Sequence, residues 1–325
     1  MLTRLAENLY CQTVPLPNNP LRELNAYILT GERNLLIDTG FNRPECLEAL
    51  RGAFRELGIE KTDLFITHLH SDHCGLMGHF LSEGSTIYAG ETDGELINFE
   101  AGNLYWRMLD DLFIKYGFPK ADFGRNTDIH PGRKYCHETR VNFTYVTEED
   151  VLDYGGYHLR PVETPGHTPG HMCLYDREKQ LLFAGDHILG TITPNICIEL
   201  CTENPLGDYL ASLRKVERLE VKRILTAHGT PVEDMYGRIR ELYRHHEERL
   251  REVLQILGGV WKTAYTVAQD MTWEIDCKNW DQFPAPQKWF ATGEAVSHLQ
   301  YLLSQELVVR EEQGGVYHYK RRREA

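Results

Sequence analysis

One short motif constrains this chain more than any other feature. Directly after the apolar segment 63–67, three histidines and an aspartate fall within six residues, as His68, His70, Asp72 and His73. Imidazole and carboxylate groups buried without partners cost several kcal/mol of stability. A metal ion supplies such partners, and histidine and aspartate are ligands that zinc, iron and manganese accept. The motif therefore predicts a metal site on a loop that follows a buried strand.

Three later segments also end an apolar run in a ligand-type side chain. The Pro/Gly-rich loop 164–171 carries His167, the run 181–184 leads to Asp186, and the run 223–226 leads to His228. Each of these residues, taken alone, is more typical of a turn or a cap than of a metal ligand. Four such groups in one chain predict a shared site, because loops at strand ends can direct side chains toward one point.

The order of these motifs resembles that of the metallo-β-lactamase superfamily, and most closely its glyoxalase-II-like and lactonase-like hydrolases. The resemblance covers about residues 5–235 and includes the strand that ends at Asp38. It implies an α+β fold, an αββα sandwich of two mixed sheets with outer helices. It also implies seven metal ligands, which are His68, His70, Asp72, His73, His167, Asp186 and His228.

The resemblance also assigns these ligands to two divalent metal ions. His68, His70 and His167 would hold the first ion, Asp72, His73 and His228 would hold the second, and Asp186 would bridge them. Zinc is the favoured metal, and iron and manganese stay open. Asp72 is in addition the predicted catalytic residue, because its carboxylate can orient a nucleophile or carry a proton.

Three further residues near the motifs are predicted to act behind the ligands. Asp38, Asp63 and Thr67 are expected to orient imidazole N–H groups. His171 is expected to be structural. Cys74 directly follows the metal motif and is expected to pack in the interior.

The implied chemistry is hydrolysis by a hydroxide that bridges the two metal ions. The predicted substrate is a small acyl, thioester, lactone or ester molecule. The alternative is a metal-dependent nuclease or phosphodiesterase that acts on RNA or single-stranded nucleic acid. The formal charge of −13, from 35 basic and 48 acidic residues, opposes electrostatic binding of a phosphate backbone, so a nucleic-acid partner is not expected.

The chain is predicted to divide after residue 258. Residues 1–258 would form the catalytic domain, with a cap insertion over 92–140, and residues 259–325 would form a winged-helix-like domain. The helix predicted over 292–304 contains no lysine or arginine. Packing, dimerisation or closure of the cleft is therefore favoured over DNA binding. A homodimer stays open.

The cap contains an aromatic helix around residues 104–116 with two interpretations. Its aromatic residues either line an apolar pocket over the metal cleft or pack the helix onto the sandwich. They are Tyr105, Trp106, Phe113 and Tyr116. An apolar pocket would favour an organic ester over a phosphodiester.

Periodicity and turn signals predict the remaining elements. Strands are expected at 25–30, 34–38, 63–67, 85–89, 142–147, 158–162, 172–175, 181–184, 223–226, 307–310 and 316–320. Helices are expected at 43–57, 235–257 and 292–304, and the segment 273–289 is expected to be an ordered loop.

A cytoplasmic location is predicted from what the sequence lacks. No apolar run has the length of a signal peptide or of a membrane span, so no membrane partner is expected. The eight cysteines form no CxxC pair and are interpreted as reduced thiols. The basic segment 320–323 is interpreted as a solvated tail.

Overall fold

The computed structural model of the chain describes residues 1–81, 84–121, 123, 131–137, 140–275, 277 and 279–322. Three parts of the predicted cap, at 122, 124–130 and 138–139, lie outside the described residues. Arg323 of the basic tail also lies outside them.

The first sheet combines an antiparallel half with a parallel half. Its strands, in spatial order, are β1 (Leu2–Ala6), β2 (Leu9–Pro15), β3 (Glu23–Leu29), β4 (Leu35–Ile37), β5 (Asp63–Phe65), β6 (Ile87–Ala89) and β7 (Thr144–Tyr145). Neighbours from β1 to β4 pair antiparallel, and neighbours from β4 to β7 pair parallel. Along β3, Ala26 and Ile28 enter the core beneath an outer helix, while Tyr27 and Leu29 enter the core between the sheets. This alternation follows from the two-residue period of a strand.

The second sheet contains the strands that bring the later ligands together. In spatial order it consists of β12 (Arg223–Thr226), β11 (Leu181–Gly185), β10 (Met172–Asp176), β9 (Tyr157–Glu163) and β8 (Leu152–Tyr154). Strands β11 and β12 are parallel, so their carboxyl ends lie at the same edge. Every residue of β10 and β11 is buried, as expected for strands that are covered on both faces.

Helices cover the outer face of each sheet. The described residues contain α1 (Pro44–Leu57), α2 (Ser71–Cys74), α3 (Glu91–Glu100), α4 (Asn103–Lys115), α5 (Pro131–Tyr135), α6 (Pro205–Val216), α7 (Met235–Leu257), α8 (Ala264–Asp270) and α9 (Ala285–Ser304), with 3₁₀ turns at Met77–Phe80 and Trp280–Gln282. Helix α1 buries Leu50 and Phe54 against the first sheet, and α6 and α7 bury Leu213 and Ile239 against the second. The predicted αββα sandwich of two mixed sheets with outer helices is confirmed. None of these helices has the length and apolar character needed to cross a bilayer.

The aromatic residues of the cap helix lie in a core and not in an open pocket. Tyr105, Trp106, Phe113 and Tyr116 are each at most 6 % exposed. The ring of Phe113 stacks on that of Trp289 from α9, with centroids 4.1 Å apart. Of the two interpretations of these aromatics, packing therefore describes them, and the pocket interpretation is not supported.

The C-terminal segment contains helices followed by a hairpin, as the sequence predicted. Helices α8 and α9 precede the hairpin of β13 (Val308–Gln313) and β14 (Val316–Arg321). Helix α9 begins at residue 285, so the expected loop over 273–289 is wrong at its end. Pro286 lies in the first turn of α9, where a helix does not need the proline N–H. The winged-helix assignment and the domain boundary at residue 258 stay predictions.

Candidate metal centre

The central motif is placed by the end of β5 and by the single turn of α2. His68 and His70 lie on the short connection that follows strand β5, and α2 then carries Asp72 and His73. His68 and His73 are completely buried, Asp72 is 9 % exposed, and His70 is half-buried. The site therefore reaches the solvent on the side of His70 and Asp72.

One cluster of nitrogen atoms gathers around His68. His68 Nε2 lies 3.1 Å from His70 Nδ1, and the His70 ring lies edge-on to that of His167, with centroids 4.6 Å apart. Each of the three side chains offers one atom, and these atoms all lie within 4.8 Å of one another. His167 reaches this point from the loop that follows β9.

A second cluster gathers around His228, which follows β12. His228 Nε2 lies 3.2 Å from His73 Nε2 and 3.4 Å from Asp72 Oδ2. These three atoms also lie within 4.8 Å of one another. The seven predicted ligands thus lie at one edge of the sandwich. Six of them form the two clusters, and Asp186 is the seventh.

Asp186 lies between the two clusters and directs one oxygen atom toward each. Its Oδ1 lies 3.6 Å from His73 Nε2 and from His228 Nε2. Its Oδ2 lies 3.6 Å from His167 Nε2. A carboxylate in this position can contact two cations at once, because each oxygen atom faces a different group of imidazoles.

The donor atoms fit a bound cation in both spacing and valence. Ligands of a tetrahedral zinc ion lie about 3.4 Å apart when each zinc–nitrogen distance is about 2.0–2.1 Å. The separations of 3.1 to 3.6 Å between these atoms match that spacing. Among the described residues, His167 Nε2 and Asp186 Oδ1 are buried without a hydrogen-bond partner. Such atoms are costly unless something binds them, and a cation would bind both.

Hydrogen bonds behind the site fix the tautomers of three imidazoles. His73 Nδ1 donates to Asp38 Oδ2, His167 Nδ1 to the Asn195 carbonyl, and His228 Nδ1 to the Glu23 carbonyl, each over 2.8 Å. Because Nδ1 is engaged in this way in each ring, Nε2 is the ring atom that faces the site.

The charges of the ligands themselves favour a cation at the site. Burial and the neighbouring imidazoles hold the pKa of His68 well below its ordinary value. Burial would also lower the pKa of His73, but the carboxylates of Asp38, Asp186 and Asp72 raise it to about 10. His73 therefore retains a proton where these carboxylates converge, and a metal ion could replace the charge of that proton.

The three residues that were predicted to act behind the ligands differ in what they contact. Asp38 accepts from His73 and from the backbone and hydroxyl of Thr67, and the Thr67 hydroxyl lies 3.0 Å from His68 Nδ1. Asp63 instead binds Tyr154 and Arg33, so its predicted contact with an imidazole is wrong. His171 accepts from the Asp186 backbone N–H over 3.2 Å, a structural contact.

Asp93 and two backbone carbonyls are contacts that sequence reasoning missed. The carboxylate of Asp93 is buried and accepts from Leu69 N, Thr168 Oγ1 and Gly170 N. It thereby joins the loop of His68 to the loop of His167. Its position just after the short strand β6 was the only signal that could have found it. The carbonyls of Asn195 and Glu23 gave no signal in the sequence, because every residue has a backbone carbonyl.

The Asp38→Asn variant should bind zinc about 10- to 100-fold more weakly than the wild type. The amide that replaces the carboxylate removes the negative charge that faces His73 Nδ1. Asp63→Asn is the matched control, since Asp63 is equally buried and hydrogen-bonded but contacts no imidazole. Competition with a chromophoric chelator measures both affinities. Equal affinities for the two variants would contradict a role of Asp38 at the metal site.

Comparison with known proteins agrees with this geometry. Residues 20–228 match the family model of the metallo-beta-lactamase superfamily. Lactamase-like protein adaB of Aspergillus niger is 29 % identical over 238 residues, which are 73 % of this chain and 59 % of adaB. The chain thus spans less than two thirds of the length of that relative. The probable metallo-hydrolase YqjP of Bacillus subtilis is 25 % identical, over 90 % of this chain and 92 % of YqjP.

A solved structure extends the similarity to almost the whole chain. A metallo-beta-lactamase family protein of Thermus thermophilus superposes with a TM-score of 0.81 and 31 % identity. The superposition covers 98 % of this chain and 100 % of that protein. Together with the match over residues 20–228, this similarity confirms the predicted family. The chain belongs to the metallo-beta-lactamase superfamily, a family of metallo-hydrolases.

Proposed function

We propose that the chain is a dinuclear metal-dependent hydrolase of small acyl, thioester, lactone or ester substrates. The observation that carries this proposal is the position of Asp186, with one oxygen facing His167 and the other facing His73 and His228. A single-metal site would not need a carboxylate shared between two groups of ligands. The two clusters on either side are each large enough to hold one ion.

The ligands divide as the family resemblance implies. His68, His70 and His167 would hold one ion, Asp72, His73 and His228 the other, and Asp186 both. Bound cations would supply an acidified water molecule and a Lewis acid for the oxygen of the scissile carbonyl. Zinc is the proposed metal, because imidazole is the main ligand type and zinc accepts mixed His/Asp sites.

Asp72 is the proposed catalytic residue. Of the two carboxylates that lie among the imidazoles, it is the more exposed, at 9 % against 5 % for Asp186. Burial would raise the pKa of Asp72, but His73 and His228 hold it below its ordinary value, so the carboxylate stays ionised at neutral pH. An ionised carboxylate at the open side of the site can orient a water molecule and accept its proton.

Charge supports a small substrate over nucleic acid. The chain has a formal charge of −13, and α9 carries a single cationic residue, Lys288, whose amine lies over the ring of Trp280. A protein that follows a phosphate backbone needs a groove of cationic residues.

A cytoplasmic location is also proposed, and the state of the cysteines supports it. No disulfide joins any two of the eight cysteines within the described residues. A homodimer is also proposed, with the C-terminal segment or the cap as its contact.

A substrate panel with parallel metal analysis tests the proposal. The purified chain should contain about two metal ions and should turn over one or more thioesters, lactones or aryl esters. Protein depleted of metal by a chelator is the matched control and should be inactive until zinc is restored. Turnover of RNA or phosphodiesters alone would favour the nuclease alternative. A protein that binds no metal after reconstitution would contradict the proposal altogether.

A further inference from the structure

The backbone carbonyl that orients His167 lies on a connection that is held in place by the C-terminal part of the chain. His167 Nδ1 donates to the carbonyl of Asn195, which lies in the connection between β11 and α6. That connection has no regular secondary structure of its own around residue 195. The position of its carbonyl must therefore be fixed by contacts with other elements.

One such contact is a polar chain that leads to helices α9 and α7. Asn195 Nδ2 donates to Glu294 Oε2 over 3.4 Å, and Glu294 Oε1 lies 3.5 Å from Arg249 Nε. Arg249 in turn donates to the carbonyl of Thr272 over 2.8 Å and lies over the ring of Trp273 at 4.5 Å. The side chains of Glu294 and Arg249 are only 15 % and 10 % exposed, so solvent screens this ion pair weakly.

The second contact is steric and is independent of the first. A Cβ atom on Gly293 would lie 1.9 Å from Cys197 Sγ. Helix α9 therefore packs against the connection, two residues beyond Asn195, without space for a methyl group. Cys197 is itself buried in the core that contains Phe113 and Trp289. The connection is thus held by the cap and α9, two residues from the carbonyl that contacts His167.

We propose that Glu294 is a positioning residue for the metal ligand His167. It holds the side chain of Asn195, and the backbone carbonyl of Asn195 then fixes the imidazole of His167. The inference rests on the metal centre proposed above. It gives α9 a role in the metal site that the family's ligand motifs do not contain, because the acting residue lies 66 positions beyond His228.

The test uses the full chain, stripped of metal and titrated with Co²⁺, whose visible absorption depends on ligand geometry. Glu294→Ala should weaken Co²⁺ binding about tenfold and should alter the spectrum. A tenfold loss is the low end of the roughly 10- to 100-fold loss of affinity that is typical when a residue behind a metal ligand is replaced. Glu294→Gln keeps an acceptor for Asn195 and should restore affinity and spectrum to near wild type. Asn195→Ala should resemble Glu294→Ala, and the double alanine variant should be no worse than either single one.

Gln300→Ala is the control for general damage to α9. Gln300 lies on the same helix and donates to Tyr116, away from the connection. Its loss should lower thermal stability and leave the Co²⁺ spectrum unchanged. If Glu294→Ala does not fold, Asn195→Ala tests the same contact from its other partner. The inference is overturned if both variants bind Co²⁺ like the wild type, or if Gln300→Ala changes the spectrum equally. A wild type that binds no Co²⁺ would instead overturn the metal centre itself, and this inference with it.

Discussion

Asp186→Ala should lower kcat/KM by roughly 10³-fold or more, which equals about 4 kcal/mol of transition-state stabilisation. The variant loses the only side chain whose two oxygens face both ligand clusters among the described residues. It should also bind about one metal ion instead of the proposed two, because the bridging ligand is lost while the other ligands of each cluster remain. Steady-state kinetics and elemental analysis of the same preparation measure both effects.

Asp176→Ala is the matched control for Asp186→Ala. Asp176 is also a buried aspartate of the second sheet, and it accepts from His158 N and Lys179 N at the end of β10 remote from His171. Its loss should reduce stability without changing metal content. An Asp186→Ala protein with two metals and unchanged kcat/KM would contradict the bridging role.

Gly166→Ala should be among the most destabilising single substitutions in the chain. Gly166 precedes the ligand His167 and has φ +136°, a backbone conformation that other residues adopt only with strain. A Cβ atom there would lie 2.4 Å from Cα and 2.5 Å from the backbone nitrogen of Tyr209 in α6. Strain and overpacking together should cost about 2–6 kcal/mol of the free energy of unfolding. Equilibrium denaturation with urea measures this loss.

Gly156→Ala separates the two contributions. Gly156 has φ +82°, but a Cβ atom added there would meet no atom within 4 Å, so only the conformational strain applies. Its substitution should cost about 1 kcal/mol. If the two variants were equally stable, the contact between the loop of His167 and α6 would not be as tight as the distances indicate.

The residues that meet at the candidate site could be predicted to lie together, because they share both their chemistry and their position at the ends of apolar runs. His68, Asp186 and His228 each follow an apolar run, and histidine and aspartate at strand ends indicate metal binding when several occur together. The αββα sandwich was instead implied by the family resemblance that these motifs carry. Grouping the residues into one site needed only residue types and spacing, whereas the fold and the division of the ligands between two ions needed the resemblance.

The layer behind the ligands was harder to predict, since it depends on which groups meet in three dimensions. Asp38 and Asp63 both lie in or beside short buried strands, yet only Asp38 contacts an imidazole. The aromatic residues of α4 gave two interpretations because helical spacing does not say what lies opposite. Trp289, which covers Phe113, is 176 residues away in the sequence.

The shared core of α4 and α9 also has a consequence for the nascent chain. Every candidate metal ligand has been synthesised once residue 228 is made, yet Trp289 and Gly293, which pack against Phe113 and Cys197, follow more than 60 residues later. During that interval the apolar surface of the cap is uncovered and open to chaperones. Synthesis therefore completes the candidate ligand set before the helix whose residues Trp289 and Gly293 cover the cap and the connection behind His167.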